Sequence, residues 1–330
     1  MFPESTEPAV LVNRSRSVPW WQEGRSTLSI AHFARTLVEK GRHRAVVVGC
    51  DPLSFLQAAA ACRLAQLEMV ASAVWFVDWS AHRLERLPSA TAYRTVSRLA
   101  LRTADFAAAV TPAAASAIRE LSRSRREITI LRNQPLSPKV VHPWRGRPER
   151  VVYVGGLSDH QGLSILLGAA EVLDREGISV AIAGDGPGAR HVADAAARLG
   201  HVWFRGLVED PDELTTLLQR SKVGLALYDP AFAQYRFGDA LKIRDYLAAG
   251  LRVVSTLPTS VDDGIVSHVH YSIESVVKAT RRALTEAPLF HPSGHPLVIE
   301  AGDTLKLFLA AVEDYVAVRS DDAGFDCPDG

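Results

Sequence analysis

The chain has 330 residues, 47% of them hydrophobic, and its 37 Lys and Arg are balanced by 37 Asp and Glu. That length holds two domains of ordinary size, and that apolar content excludes a disordered or low-complexity chain. The three cysteines, Cys50, Cys62 and Cys327, have neither the number nor the spacing of a disulfide framework or a zinc site.

In chain order, the opening MFPESTEPAV lacks the basic and apolar stretches of a secretory leader. Strands are predicted at 9–12, 45–49, 71–77, 106–110 and 127–131, with helices near 26–40, 54–67, 86–103 and 112–122. Asp51, directly before Pro52, reads as a helix cap. The longest apolar run, 55–77, is broken by Arg63, Gln66 and Glu68, which excludes a membrane span. Residues 141–149, within a Pro- and Arg-rich stretch, read as a linker. The pattern then repeats, with strands at 151–156, 179–184, 201–206, 223–228 and 252–256. Helices are predicted near 162–175, 188–199, 211–221, 239–249 and 273–286, and an amphipathic helix at 301–318 precedes a polar tail, 319–330. Short Val, Ile and Ala runs alternating with helices indicate buried parallel strands joined by crossovers. The fold class is α/β, with two doubly wound parallel-sheet domains, 1–140 and 150–300, an interdomain cleft, and ligands expected at the carboxyl ends of the strands.

Charge divides unevenly between the halves. Residues 1–150 hold 22 Lys and Arg against 12 Asp and Glu (+10), and residues 151–330 hold 15 against 25 (−10). A basic first half fits an anionic surface or acceptor. Part of the excess is Arg94, Arg98 and Arg102, which share one face of a predicted helix and read equally as a solvated face or a membrane-side patch.

Several features of the second half carry chemistry. Gly155-Gly156 with Ser158, and Gly184-Asp185-Gly186, end the first and second strands of that half. Such turns let backbone N–H groups approach an anion, although each alone is also an ordinary strand-to-helix turn. Neither is a dinucleotide fingerprint, and a Walker A loop is absent. In FGDALKIRDYLAAGLRVVST (237–256), Asp239, Lys242, Arg244 and Asp245 crowd the start of a short helix that leads into a strand. Lys242 and Asp245, three apart, also fit a simple cross-helix pair. Asp78, predicted to follow a strand, reads either as a cap or as a cleft carboxylate that orients an acceptor hydroxyl. Trp20-Trp21 fit sugar stacking or lipid contact, although buried aromatics are commoner.

The segments YVGGLSDHQGLSILLGAAEVL, IAGDGPGARHVADAAARLGHVWFRGLVEDPDELTTLLQRSKVGLAL and DYLAAGLRVVST resemble, in order and spacing, the nucleotide-sugar half of retaining GT-B glycosyltransferases of family 4. The first half resembles the acceptor half more weakly, through DPLS, VDWSAHR, RTADFAAAVT and ITILRNQP. The resemblance implies a GT-B fold of two Rossmann-like domains and transfer of a sugar, with retention, from a nucleotide-diphosphate donor to a hydroxyl acceptor. It implies UDP- or GDP-sugar as donor, no cofactor, no metal and no nucleic acid. A lipid-linked acceptor would bring the protein to anionic membrane. The setting is cytoplasmic, extending to the inner face of the cell membrane, in polysaccharide or glycoconjugate synthesis. Gly155, Gly156, Ser158, Gly184, Asp185, Gly186, Gly206, Leu207, Arg236, Lys242 and Asp245 are the implied donor contacts. Asp245 stands where the family holds the ribose, Lys242 faces the diphosphate, and Asp239 faces the sugar or its loop. Asp78, Lys242 and Asp239 are the catalytic candidates.

The chain departs from the family pattern at Gly156 and Gln161, where an Arg and a Lys usually neutralise the diphosphate. Lys242, with Arg236 or Arg244, is then the replacement expected from sequence. A degenerate donor-binding subunit and a nucleotide-sugar epimerase on the same fold are the alternatives.

Overall fold

Strand order decides where a site can form in this chain. The structure, a computed structural model, describes residues 9–13, 35, 38, 44–76, 89–135, 142–148, 151–259, 265–287 and 294–322. These divide into two units. The first holds residues up to Arg132, Arg236–Asp239 and residues from Thr304, and the second holds Asn133–Tyr235 and Ala240–Asp303.

The first unit carries β1 (Ala9–Asn13), β2 (Arg44–Gly49), β3 (Glu68–Phe76), β4 (Phe106–Ala109) and β5 (Thr129–Ile130), all parallel and side by side in chain order. Between them run α1 (Pro52–Leu64), α2 (Ser89–Thr103) and α3 (Pro112–Ser122). Asp51 caps α1 as its position predicts: Oδ1 accepts from the N–H groups of Leu53 and Ser54, and Ser54 Oγ accepts from the Asp51 N–H. Crossovers of one hand that step one way across a sheet deliver their helices to one face. Accordingly Val47, Val74, Phe76, Ala107 and Ala109 form one core with Phe55, Ala58 and Cys62 of α1, Ala100 and Leu101 of α2, and Ile118 of α3.

Alternate strand residues point to the opposite face. There Ala73 and Ala108, with Val48, Trp75 and Phe106, meet the last helix, α9 (Pro296–Asp322), through Phe308, Leu305 and Val312. Phe308 and Tyr315 stand edge-on to Phe106 at 6.1 and 5.2 Å, and Tyr315 donates to Asp105 Oδ1 at 2.5 Å. The helix expected over 301–318 thus begins five residues earlier, and its later turns complete the first unit's second face.

The second unit carries β6 (Val151–Val154), β7 (Val180–Ala183), β8 (Val202–Phe204), β9 (Val223–Ala226), β10 (Arg252–Ser255) and β11 (Val266–His268), the last not expected from sequence. All are parallel in the order β11-β10-β9-β6-β7-β8. The order reverses between β6 and β9, so helices cover both faces. α4 (Leu163–Arg175), α5 (Ala189–Arg198) and α8 (Ile273–Thr285) pack on one face, around Tyr153, Ile182 and Leu225. α6 (Pro211–Arg220) and α7 (Leu241–Ala248) pack on the other, around Val152, Ala181 and Val253.

The polar stretch before β6 is tied to this unit. Arg147, 4% exposed, donates to the carbonyls of Ser221 and Ala249 at 2.8 Å each, just past the ends of α6 and α7. Burial draws its pKa down to about 10, and those carbonyls supply the polar partners that make a buried guanidinium tolerable.

Candidate functional site

A reversal of strand order leaves a crevice at the carboxyl ends of the two strands that part there. In the second unit β6 and β9 pair only at Val151–Val223 and Val152–Gly224, whereas β6–β7 and β9–β10 each pair over four residues. Tyr246 of α7 fills the parting. Its ring packs on Gly224, where any Cβ would collide with it, and its hydroxyl donates to Leu225 O at 3.2 Å and accepts from the Val154 N–H at 2.8 Å. The hydroxyl thus takes over for ladder hydrogen bonds that the diverging strands no longer make. Burial drives its pKa well above the ordinary phenol value, so it stays protonated as a donor.

The glycine turns stand at this opening. Gly155 has φ +148° and follows β6; Gly184 has φ +147° and follows β7. A Cβ on Gly184 would be driven into the Gly155 carbonyl oxygen, so the two turns can touch only with a glycine at 184. Gly184 N–H donates to Gly206 O at 2.7 Å, bringing the loop after β8 alongside, and Leu207 there is exposed. A pocket of about 620 Å³ opens on the turns, lined by Gly156, Ser158, Asp159, His160, Gln161, Asp185, Gly186, His191 and Phe232 among others. A second hollow of 510 Å³, at Trp203, Arg205 and Arg220 along the β8 edge, includes none of the turn residues.

Lys242 reaches the first turn from α7. A Cβ on Gly155 would lie 2.7 Å from Lys242 Nζ, so the amine occupies the space a side chain there would take. The amine lies 4.4 Å from the ring centre of Tyr153 and 4.6 Å from that of Tyr228, and donates to Gln161 Oε1 at 3.0 Å and Tyr153 OH at 3.4 Å. Tyr153 in turn donates to Gly156 O at 2.8 Å, fixing the turn. Among the described residues no carboxylate lies within ion-pair reach of the amine, and burial pulls its pKa down to about 7.

The charged cluster of 237–256 does not converge on one point. Lys242 serves the turn. Arg244, two residues on, leaves the opposite side of the helix, donates to Leu297 O and pairs with Glu300 at 3.4 Å. Its expected role as a replacement phosphate cation is therefore corrected: at 3% exposure it ties α7 to the start of α9. Asp239 is buried in the first unit, 4.0 Å from Arg132 Nη1, two residues after Phe237, which joins that unit's core and accepts from Thr111 Oγ1 through its carbonyl at 2.9 Å. Asp245, one turn after Lys242, is half-buried on the same side of α7. Arg236 ends a 3-10 turn, Ala233–Arg236. Asp78 and Trp20-Trp21 lie outside the described residues.

The arginine face of α2 is only partly a free surface. Arg102 is exposed, but Arg94 and Arg98 are half-buried, and Arg98 Nε donates to Ser122 O at 2.6 Å. Among the described residues no three His, Cys, Asp or Glu side chains converge to hold a metal, and no helix is long and apolar enough to cross a membrane.

Sequence reasoning missed Gln161 as a partner of Lys242, and it missed the Tyr153 and Tyr228 rings. The tyrosines sit in runs that read as core strand; the only available signal was that two such strands flank the reversal.

Residues 148–286 match the family model for glycosyl transferases group 1. No curated protein matches the chain. Among solved structures, an alpha,alpha-trehalose-phosphate synthase (UDP-forming) from Burkholderia xenovorans, in complex with glucose-6-phosphate, is similar at TM-score 0.57 and 14% identity, over 93% of this chain and 78% of that one. HepE of Anabaena, in complex with UDP and glucose, gives 0.56 and 14% over 91% and 85%. The pneumococcal O-GlcNAc transferase GtfA, in complex with UDP and GlcNAc, gives 0.56 and 12% over 88% of this chain and 60% of that one. The chain thus has the GT-B fold, and its residues 148–286 carry the sequence pattern of group 1 glycosyl transferases.

Proposed function

We propose that this protein is a retaining glycosyltransferase that moves a sugar from a nucleotide-diphosphate donor to a hydroxyl acceptor. The observation that carries this reading is the Lys242 amine held against the Gly155 turn at the strand-order reversal of the second sheet. An anion placed there meets the glycine turns, which leave room for its approach, and one cation. As the bond to the sugar breaks, negative charge grows on the leaving diphosphate, and a preorganised cation stabilises that state more than the ground state. The leaving phosphate then steers the acceptor hydroxyl to the same face, which retains the anomeric configuration. Asp245 accepts the ribose hydroxyls, and Gly156, Ser158, Asp185, Gly186, Gly206 and Leu207 border the donor. Asp78 is the proposed acceptor-side carboxylate.

Thermal-shift screening of UDP-, GDP- and dTDP-sugars tests the donor site. One class should stabilise the protein by about 2.7 kcal/mol when present at ~100 Kd. Asp245→Ala should remove that shift while the unliganded melting point stays close to that of the unaltered protein, through loss of charge-assisted bonds contributing roughly 1.5–3 kcal/mol. No shift with any donor contradicts the reading. A shift that Asp245→Ala leaves intact removes Asp245 from it.

The basic first half favours a lipid-linked acceptor at an anionic membrane. Each Lys or Arg near such a surface contributes about 1 kcal/mol. Sedimentation with phosphatidylglycerol vesicles should therefore weaken with added salt and with Arg102→Gln. Arg102 is chosen because changing Arg98 also breaks its bond to Ser122. Absence of sedimentation at low salt would indicate a soluble acceptor.

A further inference from the structure

Among the described residues, every partner of the Lys242 amine is neutral. Gln161 carries no charge, and burial holds the Tyr153 phenol above its ordinary range. The titratable groups on the surrounding elements include Tyr153 of β6; Tyr228, Asp229 and Tyr235 after β9; Asp159 and His160 beside Gln161; Arg244, Asp245 and Tyr246 on α7 itself; and Tyr271 just before α8. Asp229 accepts from the Ala231 N–H at 2.9 Å, His160 lies 3.1 Å from Ser158 Oγ, and Arg244 pairs with Glu300. Burial is the cause of the shift that draws Lys242 to about 7, with no carboxylate among the described residues opposing it. A lysine beside Asp or Glu would be held charged throughout; Lys242 has only burial acting on it, and that works against the charge.

Gln161 has a double place. Its side chain lies over the turn, with Oε1 at 3.3 Å and Nε2 at 3.2 Å from where Cβ atoms on Gly155 and Gly156 would stand, and it also lines the pocket. It therefore stands between the Lys242 amine and the space an anion would enter.

We propose that the site takes up a proton at Lys242 Nζ when it binds a nucleoside-diphosphate sugar, and that Gln161 is the positioning residue that holds the uncharged amine over the turn beforehand. This rests on the donor-binding reading above. The lone pair of the amine takes a proton from solvent, and the ammonium so formed replaces Gln161 with phosphate oxygen as its partner. The empty site thus avoids burying an unpaired charge, and the charge appears only with the ligand that matches it.

The direction of the pH dependence follows. The ligand raises the pKa of Lys242, so affinity is full below pH ~7 and falls up to about tenfold per unit as pH rises above it. About 0.9 proton should be taken up per donor bound at pH 8, about 0.5 at pH 7 and about 0.1 at pH 6.

Titration calorimetry with UDP-glucose, GDP-mannose and dTDP-glucose, in buffers of different ionisation enthalpy, reads this directly. The phosphates of a nucleotide sugar do not titrate between pH 6 and 8, so the proton must go to the protein. For the donor that binds, the enthalpy should vary with buffer at pH 8 by about 0.9 proton and hardly vary at pH 6. Lys242→Arg, charged throughout, should abolish the variation. Gln161→Glu should do the same, by pairing the amine in the empty site, and should also weaken donor binding. Donor binding without buffer dependence at pH 8 overturns the proposal, as does uptake that survives Lys242→Arg or Gln161→Glu. If none of the three donors binds, the donor reading fails first and takes this proposal with it.

Discussion

Lys242→Ala is expected to lower kcat for sugar transfer by roughly 10²- to 10³-fold, the loss found when one preorganised donor to a developing anion is removed. Donor affinity should fall as well, since the ammonium already pairs with the bound diphosphate in the ground state. The loss in kcat comes on top of that, because the cleavage step concentrates charge next to Nζ. Steady-state kinetics with a saturating acceptor separates the two. A variant whose kcat holds while KM rises would make Lys242 a ground-state contact only. Because the amine rests on Tyr153 and Tyr228 and bonds Gln161, the melting temperature of the variant must be checked alongside. A preserved melting point assigns the lost turnover to charge.

The largest stability effect is expected at Tyr246, which is completely buried between β6 and β9. Tyr246→Ala should cost about 3–5 kcal/mol, since the cavity left against Gly224 is walled by sheet backbone that cannot collapse. Tyr246→Phe keeps the packing but strands Val154 N–H and Leu225 C=O, and should cost about 1–3 kcal/mol. Urea unfolding, with the slope compared between variants, gives both values. A Tyr246→Phe protein as stable as the unaltered one would show that the hydroxyl does not hold the parted strands. Tyr246 is next to Asp245 on α7, so donor affinity should fall in Tyr246→Ala more than in Tyr246→Phe.

How much of this was legible in the residues varies by element. The strands read well because parallel strands buried on both faces are short continuous apolar runs, as in VVYV and VAIA, and helices such as 112–122 carry Thr and Pro at their starts. β11, three residues long with an exposed His268, has no such run and was not expected. Lys242 was legible as the candidate cation. Arg244 looked its equal because a linear sequence hides the roughly 200° turn between residues two apart on a helix, which sends one toward Gly155 and the other toward Leu297. Arg147 read as part of a polar linker because nothing local shows that, besides the nearby His142 carbonyl, its partners are carbonyls 74 and 102 residues further on. The neutral surroundings of Lys242 were equally hidden. Tyr153, Gln161 and Tyr228 come from three separate segments, and their meeting at one amine depends on the reversal of strand order.

The most direct test is the configuration of the sugar first released when a nucleotide sugar is turned over with water as acceptor. Proton NMR of the anomeric centre, begun before mutarotation, should show the freed sugar in the configuration it had in the donor. Lys242→Ala should slow that release by the same factor as transfer to the true acceptor. Release of the opposite anomer first, or no consumption of any UDP-, GDP- or dTDP-sugar, would contradict retaining transfer from a diphosphate held at Gly155 and Lys242.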